Sequence, residues 1–174
     1  MSLLINNIKF GFTIKPPNSY LPRLDYLSEF FTVKRSGNIT TLRTEDFVYI
    51  IFSSGNINAT GVRSINQVEE CLDFFLTIFS IPLPLKCVNI RIDNISASMS
   101  LGRPLHVGIE VLSQLVQRHS GRISFNQGSF PGITINLQKG TIILFTSGKI
   151  NVVGVKKESD LDILRNVISE IEIC

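Results

Sequence analysis

An eleven-residue motif occurs twice in this chain, and this duplication limits the possible folds more than any other feature. Residues 52–62 read FSSGNINATGV and residues 145–155 read FTSGKINVVGV, with seven of the eleven positions identical. A second pair, Asn7-Ile8 and Asn94-Ile95, opens an apolar run in each half. Because the two pairs recur in the same order, the sequence predicts two copies of one unit, residues 1–86 and 87–174.

Each copy of the motif ends an apolar run and then turns at Ser-Gly, which is typical of a β-hairpin. Side chains alternate along a strand, so the run at 47–52 has Tyr49 and Ile51 on one face and Ile50 and Phe52 on the other. Both faces are apolar. An antiparallel sheet with helices on one side normally exposes a polar face, so the second apolar face needs a partner.

The periodicity predicts an α+β protein with about ten strands and four helices, two of them long. Eight strands are placed at residues 5–14, 38–43, 47–53, 56–62, 88–101, 132–137, 141–146 and 149–155. Helices are predicted at 23–31, from Ser64 to 79, at about 104–118 and after Ser159. Ser64 and Gln67 form a capping-box signal for the second helix.

The paired Phe-Ser/Thr-Ser-Gly hairpins, each ending in Gly-Val and a cation, resemble the core of the TATA-box-binding protein family. The resemblance extends from about Ile5 to Ile173 and is strongest at residues 88–156. It implies two pseudo-symmetric repeats that form a saddle-shaped, curved antiparallel sheet with helices on its convex face. It also implies that the concave face binds DNA in the minor groove.

Four wedge positions in this family insert phenylalanine rings between base pairs, and three of them are matched here by Phe52, Phe130 and Phe145. Counting back from Phe52 at the family's interval places Arg35 at the fourth position, unless Phe31 takes that place through a shifted register. A phenylalanine can equally be a core residue, and that alternative stays open for each ring.

The resemblance predicts further DNA contacts from asparagines, cations and small side chains of the sheet. Asparagine amides would face the acceptors of A·T pairs, and the cations would face phosphates. These residues are Asn7, Lys9, Asn58, Thr60, Arg63, Asn94, Lys149, Asn151, Val153 and Lys156. The alternatives are turn-forming asparagines and cations on a solvated face.

Composition excludes several other classes of protein. With 44% hydrophobic and 18% charged residues the chain is globular, and a net charge of +3 permits binding to nucleic acid. Apolar runs of membrane length and a secretory signal are both absent from the sequence. Cys71, Cys87 and Cys174 lack metal-site spacing, and His106 and His119 lack catalytic partners in the sequence. We therefore expect no enzyme activity, cofactor, metal or small-molecule substrate.

The sequence thus predicts a transcription initiation factor that binds AT-rich promoter DNA and recruits other transcription factors or RNA polymerase. The alternative is a protein-interaction module of the same fold with little DNA binding. We expect a nuclear location in a eukaryote, or otherwise a cytoplasmic one in an archaeal cell or viral factory, without secretion. The departures from the family pattern indicate a divergent member, such as one from a large DNA virus.

Overall fold

The computed structural model describes residues 2–15, 23–79, 87–125 and 131–173, which form four helices and ten antiparallel strands. This arrangement confirms the predicted α+β class. In chain order the elements are β1 (Leu4–Ile14), α1 (Arg23–Leu27), β2 (Thr32–Ser36), β3 (Ile39–Arg43), β4 (Val48–Phe52), β5 (Asn56–Val62), α2 (Asn66–Phe79), β6 (Cys87–Ser100), α3 (Ile109–Arg118), β7 (Arg122–Ser124), β8 (Gly132–Leu137), β9 (Gly140–Phe145), β10 (Lys149–Val155) and α4 (Glu158–Ile173).

The chain divides into two compact units. The amino-terminal unit is Asn7–Asp93, and the carboxyl-terminal unit joins residues 1–6 to residues 94–174. Strand order is β2-β3-β4-β5-β1 in the amino-terminal unit, followed by the first half of β6, and β6-β10-β9-β8-β7 in the carboxyl-terminal unit. The predicted repeat boundary after residue 86 lies at the edge of residues 80–86, outside the described residues, and stays a prediction.

The amino-terminal unit buries a cluster of aromatic rings between its sheet and α2. Phe12 and Phe75 meet edge to face with ring centroids 5.3 Å apart, and Phe75 also lies 5.1 Å from Tyr49 and 4.4 Å from Phe79. Phe10, Phe12, Tyr49 and Phe75 are fully buried. Offset and edge-to-face pairs of this kind add stability beyond the area they bury. These rings therefore fix α2 on one face of the sheet.

Polar contacts define where α2 begins and hold it to the sheet. Ser64 Oγ accepts the Gln67 N–H at 3.3 Å, which confirms the predicted capping role of Ser64. Gln67 Oε1 accepts the Arg63 N–H at 2.8 Å, one residue before the N–H that a capping box uses. In the middle of the helix, the Tyr49 hydroxyl donates to the Cys71 carbonyl oxygen at 2.8 Å. Burial raises the pKa of the Cys71 thiol to about 11 and raises the pKa of Tyr49 as well, so both groups are neutral near pH 7.

The carboxyl-terminal unit has an aliphatic core instead of an aromatic one. Its sheet contributes alternate residues of β6, β9 and β10, and these pack under α3 and α4 as the strand period of two requires. His119 Nε2 lies 3.1 Å from Glu170 Oε1, between the end of α3 and α4. The buried apolar residues are Ile95, Ala97, Met99, Leu101, Leu112, Leu115, Val116, Ile135, Ile142, Leu144, Ile150, Val152, Val155, Leu161, Leu164, Val167, Ile168 and Ile171.

The structure differs from the predicted elements at four places. Strands β2 and β7 are absent from the eight predicted spans, because both are short and mostly exposed and show little apolar alternation. Helix α1 ends at Leu27 and gives way to turns before Phe31. Helix α3 begins at Ile109 rather than near residue 104, because Leu105 N–H donates to the Thr146 carbonyl oxygen and keeps that segment extended beside the β9–β10 turn.

Candidate nucleic-acid interface

Each unit has one sheet face that packs against helices and one that points away from them. In the amino-terminal unit, Phe12 and Tyr49 contact α2 and define the helix face. Their strand neighbours Thr13 and Ile50 therefore lie on the opposite face, which we call the open face. A hydrogen bond from Thr13 Oγ1 to Asn56 Oδ1, 2.9 Å long, joins two strands on this open face.

A row of side chains crosses the open face of the amino-terminal unit from strand to strand, and we call it the amino row. The strand register pairs Lys34 with Thr41, Thr41 with Ile50, Ile50 with Asn58 and Asn58 with Gly11. Asn58 is a predicted DNA contact, whereas its neighbours Thr41 and Ile50 were not assigned from the sequence. The signal for Ile50 was the alternation that places it on the same face as residue 52.

The carboxyl-terminal unit carries a matching row, the carboxyl row. Here the register pairs Ser124 with Thr134, Thr134 with Ile143, Ile143 with Asn151 and Asn151 with Ser98. Both rows therefore present threonine, isoleucine and asparagine at three successive strand positions. The predicted contact Asn151 occupies the same place in the carboxyl row that Asn58 occupies in the amino row.

Two of the predicted wedge residues stand at equivalent positions beside these rows. Phe52 pairs with Ile39, and Phe145 pairs with Gly132. Each phenylalanine lies two residues after the row isoleucine on the same strand and therefore on the same open face. Both rings are half-buried. The third predicted wedge, Phe130, lies outside the described residues.

The predicted position of Arg35 on the DNA-facing surface is wrong. Arg35 pairs with Thr40, which pairs with buried Ile51, so it lies on the helix face. Its Nη2 makes an ion pair with Asp25 Oδ1 of α1 at 2.9 Å. A count back from Phe52 along the sequence does not report strand register, and the register places residue 35 on the helix face.

The strand register points to Gly37 as the true counterpart of Phe130, because each lies two residues before the strand partner of the motif phenylalanine. Gly37 has no ring to insert. The alternative through Phe31 is also wrong, because that ring packs against Phe74 of α2 with centroids 6.2 Å apart. Neither residue supplies a fourth wedge beside Phe52.

The two predicted central asparagines have the same structural role in both units. Asn7 Oδ1 accepts the Gly61 N–H at 2.9 Å, and Asn94 Oδ1 accepts the Gly154 N–H at 2.7 Å. Both glycines have positive φ and lie where the register of the strand pair shifts. Because the Oδ1 atom of each asparagine accepts a glycine N–H, the orientation of the side-chain amide is fixed, and its NH2 group is the hydrogen-bond donor.

The other predicted contacts occupy the open face or the strand ends. Thr60 is half-buried and its Oγ1 donates to Asn7 Oδ1 at 2.8 Å, and half-buried Val153 holds the equivalent position in β10. Lys9 is exposed between two buried residues of β1, and Lys149 is exposed at the start of β10. Arg63 and Lys156 are exposed directly after their strands.

Further cations of the open faces were not assigned from the sequence, and three of them are placed by strand register. Lys34 lies in the amino row, and Arg43 pairs with Val48, which pairs with Thr60. Arg122 pairs with Asn136 on β8. Two of the three stand on β2 and β7, the strands that the sequence did not predict, so recognising those edge strands would have found them.

Other kinds of site find no support in the part of the chain that the structure describes. Residues 2–15, 23–79, 87–125 and 131–173 contain no cluster of three His, Cys, Asp or Glu side chains able to hold a metal ion. Among the same residues, no helix is long and apolar enough to cross a membrane.

Comparison with known proteins shows similarity to one family. The model of the family described as transcription factor TFIID, or TATA-binding protein, matches residues 89–171. A TATA-box-binding protein of Methanococcus aeolicus is 26% identical over 159 residues, which cover 83% of this chain and 81% of that protein. A solved structure of Methanococcus jannaschii TBP covers 100% of both chains with a TM-score of 0.75 at 19% identity. The chain is therefore similar to the TATA-binding protein family, both to its family model at residues 89–171 and to relatives over most of the chain.

The chain is also similar to a protein of an insect. A TBP-related factor of Drosophila melanogaster is 26% identical over 139 residues, which cover 77% of this chain and 59% of that protein. The TATA-binding protein family consists of non-enzymatic, DNA-binding transcription factors, in agreement with the expectation of no enzyme activity. A viral source stays a prediction.

Proposed function

We propose that this TATA-binding protein relative binds AT-rich promoter DNA in the minor groove through the open faces of its two units. The observation that carries the proposal is the Thr-Ile-Asn row that occurs in both units. Phe52 lies beside the amino row, and Phe145 lies beside the carboxyl row. One polar-apolar pattern, presented twice by equivalent strands, supports recognition of a repeating and nearly symmetric ligand such as duplex DNA.

The chemistry of the rows suits the minor groove of A·T pairs. That groove presents only the acceptors adenine N3 and thymine O2, whereas a G·C pair adds a donor. The amides of Asn58 and Asn151 and the hydroxyls of Thr41 and Thr134 can donate to acceptors. Row isoleucines offer apolar contact with the sugar-lined groove walls. A preference for A·T over G·C pairs follows from this set of donors.

The phenylalanines and the surrounding cations would supply deformation and affinity. An apolar ring can unstack a base step, and the distortion is offset by the larger contact area of bent DNA. Lys9, Lys149, Arg63 and Lys156 are exposed around the rows and would neutralise phosphates. Because Gly37 holds the position equivalent to Phe130, we expect a gentler bend under the amino row than under the carboxyl row.

We further propose that the DNA-bound protein recruits other transcription factors or RNA polymerase, and that it works in a nucleus or, in a cell without one, in the cytoplasm. The family model that matches residues 89–171 is described as transcription factor TFIID, which supports this role.

A titration by fluorescence anisotropy with AT-rich and GC-rich duplexes of equal length, at two salt concentrations, tests the DNA-binding proposal. We expect tighter binding to the AT-rich duplex and a loss of affinity as salt rises. A FRET-labelled duplex measures bending in the same samples. Equal affinity for both duplexes, or no binding at low salt, would overturn the proposal. Binding of transcription proteins without DNA would then favour the interaction-module alternative.

A further inference from the structure

An arginine that the family resemblance did not assign lies on the open face of the amino-terminal unit. A Cβ atom built on Gly11 would lie 2.9 Å from Arg91 Cζ and Nη2 and 3.2 Å from Nη1. Such a Cβ would point away from α2, because the strand neighbours Phe10 and Phe12 are buried on the helix face. All three guanidinium atoms therefore lie directly above Gly11 on the open face, covering its backbone.

The guanidinium is held in this place from two sides. Arg91 Nε donates to Asp93 Oδ1 at 2.9 Å, and the side chains of Arg91 and Asp93 are 54% and 26% exposed. Gly11 lies under the guanidinium and leaves room for it. Across the strand pair, Gly11 stands opposite Asn58, whose Cβ would lie roughly 5 Å from a Cβ at position 11. Arg91 is thus the next group beyond Asn58 along the amino row.

We propose that Arg91 is a DNA-contacting cation of the amino row, positioned by Gly11 below it and Asp93 beside it. The inference rests on the proposed function and extends it to a residue outside the two repeated motifs. Its ligand is an acceptor oxygen or nitrogen of DNA, either on a phosphate or on the groove edge of a base. The exposed edge of the guanidinium offers N–H donors to either acceptor, and Arg is always charged at physiological pH.

The carboxyl row has no equivalent of this arrangement. Ser98 stands opposite Asn151 where Gly11 stands opposite Asn58, and Ser98 Oγ donates to Asn6 Oδ1 at 3.1 Å. A hydroxyl therefore occupies the position that a guanidinium occupies in the amino row. The two rows share their Thr-Ile-Asn centre but end differently, so the proposal predicts a charge-dependent contact at the end of the amino row alone.

The test compares Arg91→Ala and Gly11→Ala with the parent chain in the anisotropy titration over a salt series. Arg91→Ala should lower affinity for the AT-rich duplex about tenfold at low salt, because it also leaves the Asp93 carboxylate without its cation beside DNA. If Arg91 neutralises one phosphate, the slope of log K against log salt should fall by about 0.9.

Gly11→Ala tests the positioning without removing a charge. Gly11 is not among the residues with positive φ, so alanine can adopt its backbone, but its methyl group displaces the guanidinium. We expect a loss of affinity in the same direction as for Arg91→Ala, and little additional loss in the double variant, because both changes remove the same contact.

Arg35→Ala is the matched control. Arg35 also makes a 2.9 Å ion pair and its side chain is 49% exposed, but it lies on the helix face. Its removal should leave the affinity within about twofold of the parent value and the salt slope unchanged. Thermal unfolding of each variant verifies that the fold is intact.

Each outcome decides the inference. A loss on both AT-rich and GC-rich duplexes supports a phosphate contact, and a loss confined to the AT-rich duplex supports a base-edge contact. If the parent binds DNA and Arg91→Ala behaves like Arg35→Ala, the inference is overturned while the proposed function stands. If Arg91→Ala weakens DNA binding and Gly11→Ala does not, the positioning of Arg91 by Gly11 is overturned. A parent chain that does not bind DNA overturns both proposals together.

Discussion

Replacing Asn94 with alanine and with aspartate should separate the structural role of this side chain from its proposed role in DNA binding. Asn94→Ala removes the oxygen that accepts the Gly154 N–H at 2.7 Å. A neutral hydrogen bond contributes about 0.5–1.5 kcal/mol to the free energy of unfolding. Gly154 is exposed, so water can replace the lost acceptor, and we expect a destabilisation of about 0.5–1 kcal/mol.

Asn94→Asp keeps an acceptor oxygen at the same position and makes it charged. Charge-assisted hydrogen bonds are stronger than neutral ones, so the free energy of unfolding should stay within about 0.5 kcal/mol of the parent value. The carboxylate has no N–H to offer the acceptors of A·T pairs, and its charge repels phosphates. We therefore expect Asp to weaken DNA binding by a factor on the order of ten or more, about 1.4 kcal/mol.

Urea unfolding followed by circular dichroism, together with anisotropy titration of an AT-rich duplex, measures the two effects separately. Alanine should lower both stability and affinity, and aspartate should lower affinity alone. Equal destabilisation by Ala and Asp would show that the oxygen of residue 94 is not the acceptor that matters. Parental affinity in the Asp variant would remove the amide from the DNA contact.

Three other predictions follow from the packing. Phe75→Ala should lower the free energy of unfolding by about 3–5 kcal/mol, because it empties a fully buried site among three other rings. A loss below about 1.5 kcal/mol in urea unfolding would contradict this prediction. Phe52→Ala and Phe145→Ala should reduce FRET-measured bending of an AT-rich duplex, and an unchanged bend in both would argue against wedge roles. Burial raises the pKa of Cys71 from 9.0 to about 11, so the thiol of the unfolded chain ionises at a lower pH than the thiol of the folded chain. The stability that is present below pH 9 should therefore be lost as pH rises through 11. The urea midpoint of a Cys71→Ser variant should fall less steeply with pH over this range, and equal falls in the variant and the parent would refute the prediction.

The sequence predicts the paired strands and the long helices well, because their signals are local. Alternation at 56–62 and 149–155 places β5 and β10 at their observed bounds, and the Ser64–Gln67 cap places the start of α2 within two residues. Strand β2 was not predicted from the sequence, because its residues are mostly polar and exposed and its pairing with β3 depends on hydrogen bonds to another strand.

Within the two rows, the sequence predicted individual residues only where the rows coincide with the repeated motif. Asn58 and Asn151 are found by their place in the motif, whereas Thr41 and Thr134 join them only through strand register. Arg35 was misplaced because its face depends on the register of β2 against β3, and the count back from Phe52 contains no information on that register.

The hairpin between β2 and β3 disfavours a phenylalanine at the position of Gly37. Its two connecting residues are Gly37 and Asn38, and Gly37 has a φ of +55°, a conformation that a phenylalanine rarely adopts. Space is not the obstacle, because a Cβ at Gly37 would meet nothing within 4 Å. The backbone would thus resist a Gly37→Phe substitution, and a different turn would be needed to place a ring there. The turn between β2 and β3 therefore makes the open face of the amino-terminal unit unable to gain a ring at this position by a side-chain change alone.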